Sequence, residues 1–148
     1  MKKSITIIAI LLAVMVCAAS YYCSARNVIV TLQELPQQAQ SFLAAHFDTS
    51  DISSIVKDGN EYEVRFENGT EVEFNHKGQW ENIDCKREPV PASIIALLPE
   101  QIPSYMKTNF KKAFITKLGK EHFGYDLELS NGLDLEFSSN GRLKKVDD

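Results

Sequence analysis

Residues Tyr62–Phe74 read YEVRFENGTEVEF. Apolar residues at 62, 64, 66, 72 and 74 alternate with charged ones on both sides of Asn68-Gly69, and a period of two is the mark of strands with one buried and one wet face. Asparagine and glycine accept the positive φ of a tight turn, so the stretch predicts a hairpin closed by a two-residue loop. Its outward side carries Glu61, Glu63, Arg65, Glu67, Glu71 and Glu73.

Shifting the chain over itself by 63 residues places this hairpin on Tyr125–Phe137, YDLELSNGLDLEF, and LPQQAQSFLAAHF (35–47) on LPEQIPSYMKTNF (98–110). Between Leu35 and Asp84 the overlay needs no gap and gives 14 identities in 50 positions, which identifies an internal duplication. Each copy opens with a proline, Pro36 or Pro99, where a helix can start without losing a needed N–H. Ala39, Phe42, Leu43 and Phe47 then recur at helical spacing, as do Ile102, Tyr105, Met106 and Phe110, and Pro103 falls in the tolerant first turn. Four short strands follow by alternation, near 52–57, 61–67, 70–75 and 79–84, and again 63 residues later. Ahead of each main helix lies a matched apolar segment, VIVTLQE in the first copy and PASIIALLP in the second, the latter a short helix from Pro91.

The expected fold is therefore α+β: a tandem repeat of one helix plus a four-stranded antiparallel meander. The first repeat runs over 26–85, a polar linker over 86–90 and the second repeat over 91–148. One repeat of this size is marginal alone, so the two are expected to share a core or a continuous sheet. Tyr62, Val64, Phe66, Val72 and Phe74, with Tyr125, Leu127, Leu129, Leu133, Leu135 and Phe137, face the helices, and Trp80, matched to Leu143, joins the core. Asp126, Glu128, Asp134 and Glu136 continue the acidic outward side.

The first 25 residues stand apart. Lys2 and Lys3 precede an apolar run, Ile5–Val16, too short to span a bilayer, and small residues follow, which reads as a secretory signal peptide over 1–25. Cleavage is expected after Ala25, with Ser20 as the alternative. Val16 before Cys17 and Tyr22 before Cys23 do not suit lipid anchoring. Cleavage at Ala25 removes two lysines and no acids, leaving 14 − 20 = −6 formal charges, a sign that disfavours nucleic acid and stable membrane association. It also leaves one cysteine, Cys85, so the mature chain has no intramolecular disulfide; Cys85 reads as a small residue near a strand end, with a disulfide dimer as the sharper alternative.

No catalytic constellation emerges. His46, His76 and His122 share no metal-ligand spacing with one another or with Cys85, no Asp-x-Asp-x-Asp-Gly calcium loop occurs, and no cofactor is expected. His46, matched by Asn109, reads as a boundary residue. The dense polar feature is the acidic sheet face. Charged outward positions keep strands soluble, yet like charges on neighbouring strands repel, a cost that a basic partner relieves.

The series LPQQAQSFLAAHF, YEVRFENGTEVEF, HKGQWENIDC and GYDLELSNGLDLEFSSNG, with prolines at 89 and 91, resembles the β-lactamase-inhibitor-like, PepSY-like family of secreted bacterial proteins, over nearly all of the mature chain. The resemblance implies a fold similar to the β-lactamase inhibitory protein and a periplasmic or secreted location, and carries no catalytic residue over. Sheet-face inhibitors present aromatic anchors, whereas these aromatics point inward. The expected function is a non-catalytic binding module, either a peptidase modulator or a binder of a basic peptide or polymer in the cell envelope. Its expected binding residues are Glu63, Arg65, Glu71, Glu73, Asp126, Glu128, Asp134 and Glu136. The alternatives are an enzyme using paired carboxylates such as Glu73 and Glu136, or a structural partner in an envelope assembly.

Overall fold

A computed structural model describes residues 27–148. The expected signal peptide, its cleavage sites, Cys17 and Cys23 lie outside the described residues. In chain order the elements are β1 (Val28–Ile29), α1 (Gln37–His46), β2 (Ile52–Asp58), β3 (Glu61–Phe66), β4 (Glu71–Phe74), β5 (Trp80–Asp84), α2 (Ala92–Ile95), α3 (Gln101–Asn109), β6 (Ile115–Glu121), β7 (Gly124–Leu129), β8 (Asp134–Ser138) and β9 (Leu143–Asp147). The nine strands form one antiparallel sheet in sequence order, β1 to β9, so the expected continuous sheet is what the chain builds.

One row of paired residues crosses the sheet on its inner face: Ile55, Val64, Val72, Ile83, Leu118, Leu127, Leu135 and Val146. All but Val146 are buried, under a single cluster that includes Ala39 and Leu43 of α1, Ile94 of α2, and Ile102 and Met106 of α3. Phe42 meets Phe74 edge-on at 5.8 Å, and 63 residues later Tyr105 meets Phe137 edge-on at the same 5.8 Å. Trp80 stacks at 6.3 Å on Phe42, as its pairing with Leu143 predicts, and the ammonium of Lys120 lies 5.5 Å above its ring. His46 hydrogen-bonds Ser93 at 2.8 Å, tying α1 to α2 at the boundary between the halves.

The turns correct the sequence reading. The loops at Asn68-Gly69 and Asn131-Gly132 hold three residues, not two. Phe66 N–H donates to Thr70 O and Gly69 N–H to Phe66 O, leaving 67–69 as the loop, and Leu129, Leu133 and Gly132 repeat the pattern. Positive φ falls on Gly69 (+86°) and Gly132 (+84°), while neither asparagine adopts it. This is the turn-plus-bulge form, in which a right-handed turn is followed by one left-handed glycine. Asn68 instead accepts a hydrogen bond from Thr70 N–H through Oδ1. Glu67, expected on a strand, lies in the turn.

The matched segments before the main helices also differ. Val28–Ile29 is a short strand followed by a 3₁₀ turn at Leu32–Glu34, whereas Ala92–Ile95 is helical. The cause is the edge each meets. β1 pairs with β2 through Ile29↔Val56. The equivalent edge of β6 is occupied by β5 through Asn82↔Gly119, so no slot is left for a second copy of β1.

Segment 86–90 is tied down at both ends. Lys86, the one described non-glycine residue with positive φ (+58°), reaches back to the sheet, and Val90 is buried with its N–H on Ile115 O at 2.8 Å.

Candidate functional site

Because side chains alternate in a strand and register is continuous through every neighbour, the outward residues form two ladders across the sheet. The first runs Val56, Glu63, Glu73, Asn82, Gly119, Asp126, Glu136, Lys145. The second runs Ser54, Arg65, Glu71, Asp84, Lys117, Glu128, Asp134, Asp147. All eight expected residues fall on them: Glu63, Glu73, Asp126 and Glu136 on the first, Arg65, Glu71, Glu128 and Asp134 on the second. Ser54 and Val56 stand at the β2 end of the ladders, and Asn82, Asp84, Lys117, Gly119, Lys145 and Asp147 complete the face. Sequence reading missed the latter because β5 and β9, the fourth strand of each meander, carry less regular alternation, and because Lys117 and Gly119 on β6 are not acidic.

The two ends of this face differ in charge pairing. In the first half, Arg65 pairs with Glu63 and lies 3.5 Å from Glu71. The ammonium of Lys86 donates to Glu71 Oε2 and Asp84 Oδ2, each at 2.9 Å. Burial acts to raise the Asp84 carboxyl, but hydrogen bonds from the Lys86 side chain and backbone, with the charges of Lys86 and Lys117, outweigh it and hold its pKa below the usual carboxylate value. The same two bonds raise the Lys86 ammonium, Asp84 contributing more than Glu71.

In the second half Glu128 stands where Arg65 stands in the first. Among the described residues, Asp126, Glu128, Asp134 and Glu136 make no ion pair within 4 Å, and all four are exposed. Asp126 lies directly opposite Glu136, and Glu128 opposite Asp134. Lys145 pairs with Asp147 instead. An open groove of about 780 Å³ lies on this face, lined by these four acids with Glu73, Glu81, Lys117, Gly119, Lys120 and Asp147 among others. Gly119 stands where Val56 stands in the first half, so the groove floor lacks a side chain.

Glu73 and Glu136 are not brought together as a carboxylate pair. They lie on β4 and β8, four strand spacings apart, or about 19 Å along a flat sheet. Cys85 is buried at the end of β5, and burial pushes its thiol up, so its sulfur is not presented for an intermolecular disulfide. His46, His76 and His122 lie apart from one another, and among the described residues no three His, Cys, Asp or Glu side chains gather as a metal site requires. One exposed aromatic, Phe123 at 73%, sits on the β6–β7 turn beside the groove, with His122 edge-on at 4.7 Å.

Comparisons with known proteins agree with this architecture. A solved structure from Bacteroides thetaiotaomicron, described as a "putative calcium-regulated periplasmic protein", is 34% identical, with TM-score 0.77 over 82% of this chain and 97% of that one. One from Bacteroides vulgatus, a "putative periplasmic protein of unknown function", is 34% identical, with TM-score 0.74 over 83% of this chain and 100% of its own. Another from Bacteroides vulgatus, a "putative periplasmic protein" of the DUF2874 family, is 29% identical, with TM-score 0.75 over 82% and 97%. No curated protein matches. These neighbours place the chain in the periplasm, and no described helix is long and apolar enough to cross a membrane. The family described as β-lactamase-inhibitor-like, PepSY-like matches residues 21–69 and 60–145, and with this fold and these relatives the chain belongs to it.

Proposed function

We propose that the protein is a non-catalytic periplasmic binding module, built from two copies of one helix-and-meander unit in a plan similar to the β-lactamase inhibitory protein. Its outer sheet face takes a basic peptide or polymer segment, and a basic segment of a peptidase is one form such a partner takes. The observation that carries this reading is the unequal neutralisation of two equivalent faces. Arg65 and Lys86 pair with Glu63, Glu71 and Asp84 of the first half, whereas Asp126, Glu128, Asp134 and Glu136 make no ion pair within 4 Å among the described residues, although Lys117 and Lys120 also line the groove. Directly opposed like charges cost stability, and a cationic partner recovers that cost.

The relative described as calcium-regulated suggests a divalent cation as the other occupant. The acids here are strung along two ladders, not gathered around one point, and that favours an extended basic chain. Titration of the exported protein with labelled oligolysine separates the two. Binding that weakens as salt rises is expected, since screening acts over about 10 Å at 0.1 M. Asp126→Asn/Glu128→Gln/Asp134→Asn should weaken it at least tenfold, and Glu63→Gln/Glu71→Gln far less. Equal losses from both halves, or calcium binding with no oligolysine binding, would sink the reading.

A further inference from the structure

The two outer edges of the sheet carry the two sides of a join that the molecule already makes within itself. At the centre, β5 meets β6 through Asn82↔Gly119, Ile83↔Leu118 and Asp84↔Lys117. The join continues through Cys85 N–H to Thr116 O and Val90 N–H to Ile115 O. β9 stands on β8 as β5 stands on β4. Glu71↔Asp84, Val72↔Ile83 and Glu73↔Asn82 become Asp134↔Asp147, Leu135↔Val146 and Glu136↔Lys145, with the register shift at the same place. β2 likewise stands on β3 as β6 stands on β7, again with a matching register shift. The outer edge of β9 therefore presents the backbone of β5, and the outer edge of β2 that of β6. Among the described residues no strand pairs the outer edge of β9.

Among the described residues the β2 edge is closed only by β1. That strand is two residues long, with Val28 51% and Ile29 81% exposed, plus one bond from Val30 N–H to Ile55 O. Ile29 lies opposite Val56, the place that Asn82 takes opposite Gly119 in the join. β1 is thus a short plug in a slot that a full strand fits, a common way of protecting an edge.

We propose that, when β1 leaves this slot, the β9 edge of one copy of the chain adds to the β2 edge of a second copy in the register of the β5–β6 join. The side chains suit it. Val146, 43% exposed where its counterpart Ile83 is fully buried, comes to lie opposite Ile55 and extends the buried inner row. Lys145 falls opposite Val56 and Asp147 opposite Ser54, so no like charges meet. Such a contact is head-to-tail, joining unlike edges of two copies, so it builds chains of copies or, where the rotation closes, rings. It rests on reading the halves as copies of one unit and is independent of what the acid face binds.

Val28→Gly/Ile29→Gly weakens β1 while removing only exposed side chains. With folding verified by circular dichroism, its average mass in sedimentation velocity should at least double as protein concentration rises, and adding Val146→Lys should return it to the monomer. In that glycine background, mixed Lys145→Cys and Val56→Cys chains should form a disulfide-linked heterodimer under mild oxidation. A mixture of Lys145→Cys and Lys57→Cys, one register away, should give several-fold less, and so should the first mixture with β1 intact. A folded glycine variant that stays monomeric, association that survives Val146→Lys, or equal yields from both cysteine mixtures would overturn the proposal. Oligolysine titration of the same variants reads the acid face separately, so either reading can fail alone.

Discussion

The inner faces of the two halves match more closely than the outer ones. Inside, Phe74 under Phe42 and Phe137 under Tyr105 keep the same edge-on geometry at the same 5.8 Å. Outside, Glu128 stands at the place of Arg65 and Gly119 at that of Val56, and the acids there line an open groove without an ion pair within 4 Å among the described residues. The difference teaches where constraint lies. A close-packed interior punishes any change of shape, whereas exposed strand positions accept a reversal of charge at small cost. Function is accordingly easier to look for where equivalent positions disagree.

The largest test concerns the face on which the halves agree. Phe74→Ala and Phe137→Ala should each destabilise by about 3–5 kcal/mol in denaturant unfolding, because both rings are fully buried beneath a helix. Costs differing by more than half would show that the halves do not share one packing plan. Next come Gly78 and Gly141, which turn the third hairpin of each half at φ +80° and +79° against the start of a main helix. A Cβ on Gly78 would lie 2.8 Å from the backbone N of Ala39, and one on Gly141 2.9 Å from Pro99 Cβ. Alanine at either should cost about 1–3 kcal/mol in strain, with Gly78 the worse because backbone yields less than a ring.

A smaller effect would copy one outer face onto the other. Glu128→Arg with Lys117→Ser gives Asp126 and Asp134 the arrangement that Arg65, opposite Ser54, has with Glu63 and Glu71. It should stabilise by about 0.2–1 kcal/mol, the range for cross-strand pairs, while weakening oligolysine binding. Stability gained without loss of binding would separate charge repair from recognition.

The smallest effect is a pH dependence at Asp84 in the first half. Asp84 has a lowered pKa when folded, so the unfolded chain takes up its proton first as pH falls. Its stabilisation is present above the unfolded value, about 3.9, and is lost as pH falls through the folded value. Asp84→Asn should flatten the acid limb of the stability profile in denaturant unfolding followed over pH.

Much of this was legible in residues alone. The alternation of Tyr62–Phe74 and its echo at Tyr125–Phe137 put the right side chains on the right faces, because a period of two leaves only two choices and burial selects one. Loop length was not legible at Asn68-Gly69. That pair serves a two-residue turn as well as the three-residue turn found, and a hydrogen bond from Thr70 to the Asn68 side chain accompanies the latter. The eight acidic-face residues could be named from the pattern, but whether each was neutralised could not. Lys86 reaches Glu71 across 15 positions in sequence, and no local pattern announces such a contact.

By itself, then, the chain's order of residues determined the elements, their faces and the acid sign of the outer surface, since each follows from short-range periodicity and side-chain chemistry. Tertiary structure alone decided that β5 fills beside β6 the slot that β1 plugs beside β2, that Glu73 and Glu136 lie four strands apart, and that one open groove gathers the acids of both halves. Those outcomes depend on which edges meet in space, and edge pairing is settled by backbone hydrogen bonds that every residue but proline can make.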